Sequence, residues 1–143
     1  VDDDDDEEKL LIWMDSGDLF RDSSFLGIIE DTLSNNSIYS SVTPGDIREW
    51  TFPATLKYLN YNMDNESLSL KNRDGAMIGL NCNINWVKQL VIKWRDCALI
   101  KECIAPNGSN RRNHRQDQAV FTVLYYQYHA IYNFKIVDKL LKF

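Results

Sequence analysis

No stretch of this chain approaches the about 20 apolar residues of a membrane-spanning helix, so a spanning segment is excluded. No signal peptide is read at the start, where Val1 is followed by acids and not by a basic and apolar segment. There is no initiating Met, and the chain is read as part of a longer one. Cysteine is scarce. Cys82, Cys97 and Cys103 make an odd number, which excludes a complete disulfide framework, and no short-spaced Cys/His pairs suggest a zinc site. Neither an internal repeat nor a glycine-rich βαβ nucleotide signature is present. Basic excess is absent, so charge gives no argument for a nucleic-acid partner.

What is present fits one ordinary domain. The 143 residues are 44% hydrophobic and 12% aromatic, enough for a modest core. The net charge of -5 is unevenly spread, with a solid acidic run from Asp2 to Glu8. Residues 1–9 are therefore read as a solvated acidic tail and 10–143 as one α/β domain. The tail is a poor metal cage because an extended run of like charges repels itself.

Apolar runs alternate with helical patterns along the domain. Leu10 to Met14 and Gly75 to Leu80 read as buried strands of one sheet. Ser23-Ser24 can cap a helix carrying Phe25, Leu26, Ile28, Ile29 and Leu33, with Asn35-Asn36 ending it. Ser37 to Val42 is a weak strand, Thr43 to Asp46 a turn, and Pro53 opens a short helix through Leu59. Met63 to Arg73 is polar and reads as loop. Asn85 can cap a helix from Trp86 to Cys97, and the strongest helix runs from Asp117 to Tyr132; both should pack on the sheet through Val91, Trp94, Val120 and Leu124. In that last helix Val120, Val123, Leu124, Gln127 and Ile131 are in register. A short element covers Ile136 to Phe143. Strands alternating with helices point to an α/β sheet flanked by helices.

The first chemical cluster is Trp13-Met14-Asp15-Ser16-Gly17-Asp18. A strand ending in Asp15 and Asp18 delivers carboxylates to the carboxyl edge of a sheet, where ligands of open α/β sheets bind. Such carboxylates suit a divalent cation and, through it, a nucleotide's phosphates. A solvated turn is the plainer reading, since Asp, Ser and Gly are common turn residues.

The second cluster is Arg111-Arg112-Asn113-His114-Arg115-Gln116-Asp117-Gln118 at the start of the strongest helix. Free backbone N–H groups, the helix dipole and the arginines make an anion site for phosphate. Here too a structural reading stands: Asp117 can cap the helix or pair with a neighbouring Arg. His129 and the Phe121, Tyr125, Tyr126, Tyr128, Tyr132 stretch read as packing. Of the cysteines, only Cys97 and Cys103 can bridge, which needs Cα atoms within about 7 Å; Cys82 reads as reduced and packed. Three Asn-x-Ser triplets, at Asn35, Asn65 and Asn107, would be glycan acceptors in a secretory protein.

The strings WMDSGDLF, GAMIGLN, WRDCALIKECIAPNGSN and HRQDQAVFTVLYY together resemble the carboxyl-terminal half of a poorly characterised eukaryotic glycosyltransferase-like family. The resemblance spans roughly residues 10 to 130 and implies a nucleotide-diphospho-sugar transferase of the A-type fold, here lacking its N-terminal nucleotide-binding half. It implies that Asp15 and Asp18 hold Mn or Mg, that Arg111, His114 and Arg115 bind substrate, and that Asp117 and Gln118 are catalytic. The partners implied are a nucleotide-sugar donor and a glycan or protein acceptor, with no nucleic acid and no membrane contact within this segment. The compartment favoured by the resemblance and the triplets is the Golgi or ER lumen. The family's acidic motif is Asp-x-Asp; Gly17 stands in its second acidic place and Asp18 follows one residue later.

Three functional classes follow. One is a sugar transferase active in the intact protein. Another is an inactive relative serving as a binding or interaction module, favoured by Gly17 and disfavoured by Asp117-Gln118. The last is a phosphatase-type hydrolase with Asp15 as nucleophile, which would want its second acid two residues on. The transferase reading requires Asp15 and Asp18 to share a cleft with His114, Asp117 and Gln118.

Overall fold

The computed structural model describes residues 9–15, 26–27, 29–30, 33–34 and 37–136. Residues 1–8 of the acidic tail, Asp18, Ser23-Ser24, Phe25, Ile28, Asn35-Asn36 and residues 137–143 lie outside them. The chain is an α/β domain built on a three-stranded antiparallel sheet with the order β1-β3-β2. Strand β1 is Leu10–Met14, β2 is Ile38–Asp46 and the central β3 is Lys71–Asn81. The helices are α1 (Ile47–Trp50), α2 (Pro53–Tyr58), α3 (Asn65–Leu68), α4 (Asn85–Ala98), α5 (Lys101–Ile104) and α6 (Gln116–Tyr132).

Period-two alternation in β3 covers both faces of the sheet. Ile78 and Leu80 join the main core with Val87, Leu90, Trp94, Val120, Phe121 and Leu124. Burying each such side chain is worth about 1.5–3 kcal/mol. Met77 faces the other way, packing with Ile29, Leu33 and Tyr39, and Ile12 and Met14 close against that group. On the same face as Met77, Gly79 leaves room for that group: a Cβ there would meet Leu33 Cδ1 and Tyr39 Cβ at 3.1 Å.

Both expected strands lie in one sheet, but only β3 is buried. Leu10, Leu11 and Trp13 are 37%, 44% and 42% exposed, because among the described residues β1 is an edge strand paired with β3 on one side. The expected Met63–Arg73 loop contains α3 and the start of β3, and the expected Thr43–Asp46 turn lies inside a bulged β2. Asp46 caps α1 by accepting from Glu49 N at 2.9 Å. Asp64 caps α3 through Ser67 N at 2.7 Å, a bond that lowers the Asp64 pKa.

Helix α6 is buried almost all round, from Ala119 to Tyr126 and again at Tyr128, so it is a central core helix and not a one-faced one. It packs on β3, and α4 packs on α6. Ile131, expected on the buried stripe, is 71% exposed beyond the end of the sheet. Asn133, in the left-handed region at φ 49°, ends the helix by donating its N–H to His129 O. Cys97 and Cys103 are bridged, with Cα atoms 5.3 Å apart, tying the end of α4 to α5. Cys82 is free and half-buried, and burial pushes its thiol pKa up.

Candidate functional site

Because the sheet is antiparallel, the carboxyl end of β1 does not join a row of carboxyl ends. Met14 pairs with Met77, so β1 ends beside the middle of β3. There the Asp15 N–H donates to Ala76 O at 2.9 Å. The next residue on β3 is Gly75, whose bare backbone lies against Gln118 at the start of α6: a Cβ at 75 would be 2.9 Å from Gln118 Cβ. The Gln118 amide donates to Arg73 O at 2.8 Å, fastening the first turn of α6 to β3. A second tie runs through the indoles. Trp94 Nε1 donates to Asp117 O at 3.0 Å, and the Trp94 ring sits 5.3 Å from that of Trp13. Asp15 and Gln118, remote in sequence, thus attach to neighbouring residues of β3, with Asp117 beside Gln118 at the start of α6. Asp18 lies outside the described residues.

Asp117 is exposed, and the start of α6 has no side-chain cap, Arg115 occupying the N-cap position. The capping explanation for Asp117 is therefore not realised. Arg111 and Arg115 are exposed; the Arg115 guanidinium lies 4.0 Å from the centre of the Trp50 ring, and the Arg115 backbone N–H donates to Trp50 O.

His114 has a different setting. It is 1% exposed, and its Nδ1 accepts from Phe52 N at 3.1 Å. A backbone N–H can only donate, so the ring proton sits on Nε2 and donates to Ile104 O at 2.8 Å. Burial lowers the pKa, partly opposed by the Ile104 bond. A second proton on Nδ1 would also set two N–H donors face to face. His114 pins the loop before α6 to the segments around Phe52 and Ile104; both ring nitrogens are taken up by the fold.

Behind the edge lies a buried polar network that the sequence did not reveal. Arg73 is fully buried, donating from Nε to Ser40 Oγ at 3.1 Å and from Nη2 to Ser40 O at 2.8 Å, and its guanidinium lies 4.5 Å from the Tyr125 ring centre. Thr122 Oγ1 accepts from Arg73 N at 3.0 Å and lies within 3.1 Å of Asn72 Oδ1 and 2.9 Å of Gln118 O. Asp74 accepts from Ala76 N at 2.9 Å and Ser41 Oγ at 3.4 Å. Burial, and then the Asp74 carboxylate, push the Tyr39 phenol up to about 12. The network ties β2, β3 and α6 together.

Among the described residues no three His, Cys, Asp or Glu side chains form a ready-made metal cage. That does not bar a Mg or Mn site of the nucleotide type, in which one or two carboxylates act together with substrate phosphates. Also among the described residues, no helix is long and apolar enough to cross a membrane. A separate groove of about 920 Å³ lies at the carboxyl-terminal half of α6, lined by residues including Tyr61, Lys93, Tyr128 and Tyr132. No family model, curated protein or solved structure matches the chain.

Proposed function

We propose that the chain is a glycosyltransferase-like domain that, in the intact protein, transfers a sugar from a nucleotide-sugar donor to a glycan or protein acceptor with the help of Mn or Mg. The observation that supports this reading is that the Asp15 N–H bonds to Ala76 O while Gln118, next to Asp117, packs on the adjoining Gly75, so both clusters attach to neighbouring residues of β3. In this reading Asp15, with Asp18, holds the ion. When bound, the ion neutralises charge on the departing diphosphate. Arg111 and Arg115 bind the diphosphate oxygens. Asp117 contacts the sugar or the acceptor hydroxyl, and Gln118 holds the first turn of α6 against β3 so that Asp117 is fixed. His114 acts at one remove, by pinning the loop that carries Arg115. The Cys97–Cys103 bridge supports an oxidising compartment such as the ER or Golgi lumen.

A catalytically inactive binding module is the second reading, favoured by Gly17 in the place of the motif's second acid. The two separate on the full-length protein. Calorimetry with Mn, and release of nucleoside diphosphate from a panel of UDP- and GDP-sugars, are measured with and without Asp15→Ala. Transferase chemistry predicts that Mn binding and release both fall in the variant. Release absent from the unaltered protein across the panel favours the inactive module.

A further inference from the structure

The Asn-x-Ser triplets take no part in the function proposed above, and one of them has a setting of its own. Pro106 to Ser109 form a β-turn closed by Ser109 N donating to Pro106 O at 3.0 Å, with Gly108 at φ 91°. The inner side of this turn rests on an aromatic ring: a Cβ at 108 would meet Phe52 Cζ at 3.1 Å. Asn113 Nδ2 fastens it further by donating to Gly108 O at 3.1 Å. Asn107, the first residue of the triplet Asn107-Gly108-Ser109, is exposed on this anchored turn. Its Oδ1 accepts from Lys101 Nζ at 3.2 Å, which leaves the amide nitrogen for chemistry. A second, independent observation is the bridge at Cys103 in the segment leading to the turn, because disulfides persist in the compartments where Asn-x-Ser acceptors are used.

We propose that Asn107 is an N-glycosylation site. The co-reactant is an oligosaccharide carried on a lipid diphosphate. A bond forms between the Asn107 amide nitrogen and C1 of the first sugar. The C1–O bond to the diphosphate breaks, its electron pair leaves on that oxygen, and the amide gives up a proton. The grown glycan projects from the turn into solvent. Asn65 has a different setting: it lies in the first turn of α3 and not on a β-turn, while its Oδ1, like that of Asn107, accepts from a basic side chain, here Arg48 at 3.0 Å. This inference stands on the turn and the bridge, not on the sugar-transfer reading.

The test uses the full-length protein produced in eukaryotic cells. Enzymatic removal of N-glycans in heavy-oxygen water, followed by peptide mass spectrometry, should leave labelled Asp at position 107. Asn107→Gln and Ser109→Ala should each lose one glycan's electrophoretic shift, and Ser109→Thr, which keeps the acceptor triplet, should retain it. If Asn107→Gln fails to fold, the labelled peptide from the unaltered protein and the Ser109 pair still decide. An unmodified Asn107 in the folded protein, or a shift that survives Ser109→Ala unchanged, overturns the proposal.

Discussion

Gly75 on β3 and Gln118 on α6 are packed backbone to side chain: a Cβ on residue 75 would stand 2.9 Å from Gln118 Cβ and 3.0 Å from its Cγ. The same glutamine donates to Arg73 O at 2.8 Å. The start of α6 therefore cannot slide away from β3 without breaking a bond, nor move closer without a clash. This contact fixes the start of α6, which carries Asp117, against the segment of β3 to which the Asp15 backbone is bonded.

Gly75→Ala should destabilise the domain by about 1–3 kcal/mol, the usual cost of overpacking a tight contact. Equilibrium unfolding in denaturant measures it. An unchanged midpoint would mean that α6 and β3 have slack between them, and that Gly75 is not what fixes their separation.

His114 gives the fold a dependence on pH. Its folded pKa is lowered, chiefly by burial, from an ordinary value of 6.5. The unfolded chain therefore takes up the proton first as pH falls. The contribution of the neutral ring is complete above about pH 6.5 and is lost below it, by up to about 1.4 kcal/mol per pH unit, until the folded form also protonates. His114→Ala should cost about 2–4 kcal/mol at pH 8, since it orphans Phe52 N–H and Ile104 C=O and leaves a cavity. It should also flatten the stability profile between pH 7 and 5. A variant with the same acid slope as the parent places that slope elsewhere.

The Cys97–Cys103 bridge closes a short loop, with a sequence separation of 6. Chain-entropy reasoning gives such a loop about 2 kcal/mol of stabilisation. Replacing both cysteines by serine should lower stability by about that amount. The larger consequence is local. The bridged α5 carries Ile104, whose carbonyl accepts from His114, and Thr55 Oγ1 donates to Cys103 O at 2.7 Å. Hydrogen exchange in the double variant should therefore rise first at 101–115. Uniform loosening of the whole domain would contradict this route.

The sequence made some of this legible for clear physical reasons. Ile78 and Leu80 alternate with Met77 and Gly79, so β3 could be read from its apolar core. The long apolar pattern after Asp117 could only be a helix, and Cys97 and Cys103 were the only pair able to meet. Other elements were hidden by their polarity. Lys71 to Arg73 looks like loop because nothing local explains a buried arginine; Ser40, Thr122 and Tyr125 supply that explanation from elsewhere in the chain. The cap of α1 was present as Asp46 and Glu49 but was masked by the neighbouring Pro44-Gly45 turn signal. His114 resembled a ligand because it lies among arginines. Only the approach of Phe52 N–H and Ile104 C=O commits its ring to the fold.

Asp117 offers the sharpest separation of chemistry from architecture. Its backbone carbonyl accepts from Trp94 Nε1, a bond that does not depend on the side chain, and its carboxylate does not cap α6. Asp117→Asn keeps the shape and removes the charge. The one structural contribution the charge can make is its interaction with the helix dipole in the first turn, worth about 0.3–1 kcal/mol for an exposed acid. Stability should therefore fall by no more than about 1 kcal/mol, measured by thermal or denaturant unfolding. Transfer by the full-length protein should fall by about a hundredfold or more if the carboxylate orients or deprotonates the acceptor. Unchanged transfer would remove Asp117 from the site. Lost folding would show that the carboxylate supports α6 through contacts absent from this structure. Lost transfer in a folded protein, matched by the same loss in Asp15→Asn, would tie the two ends of the sheet edge into one active centre.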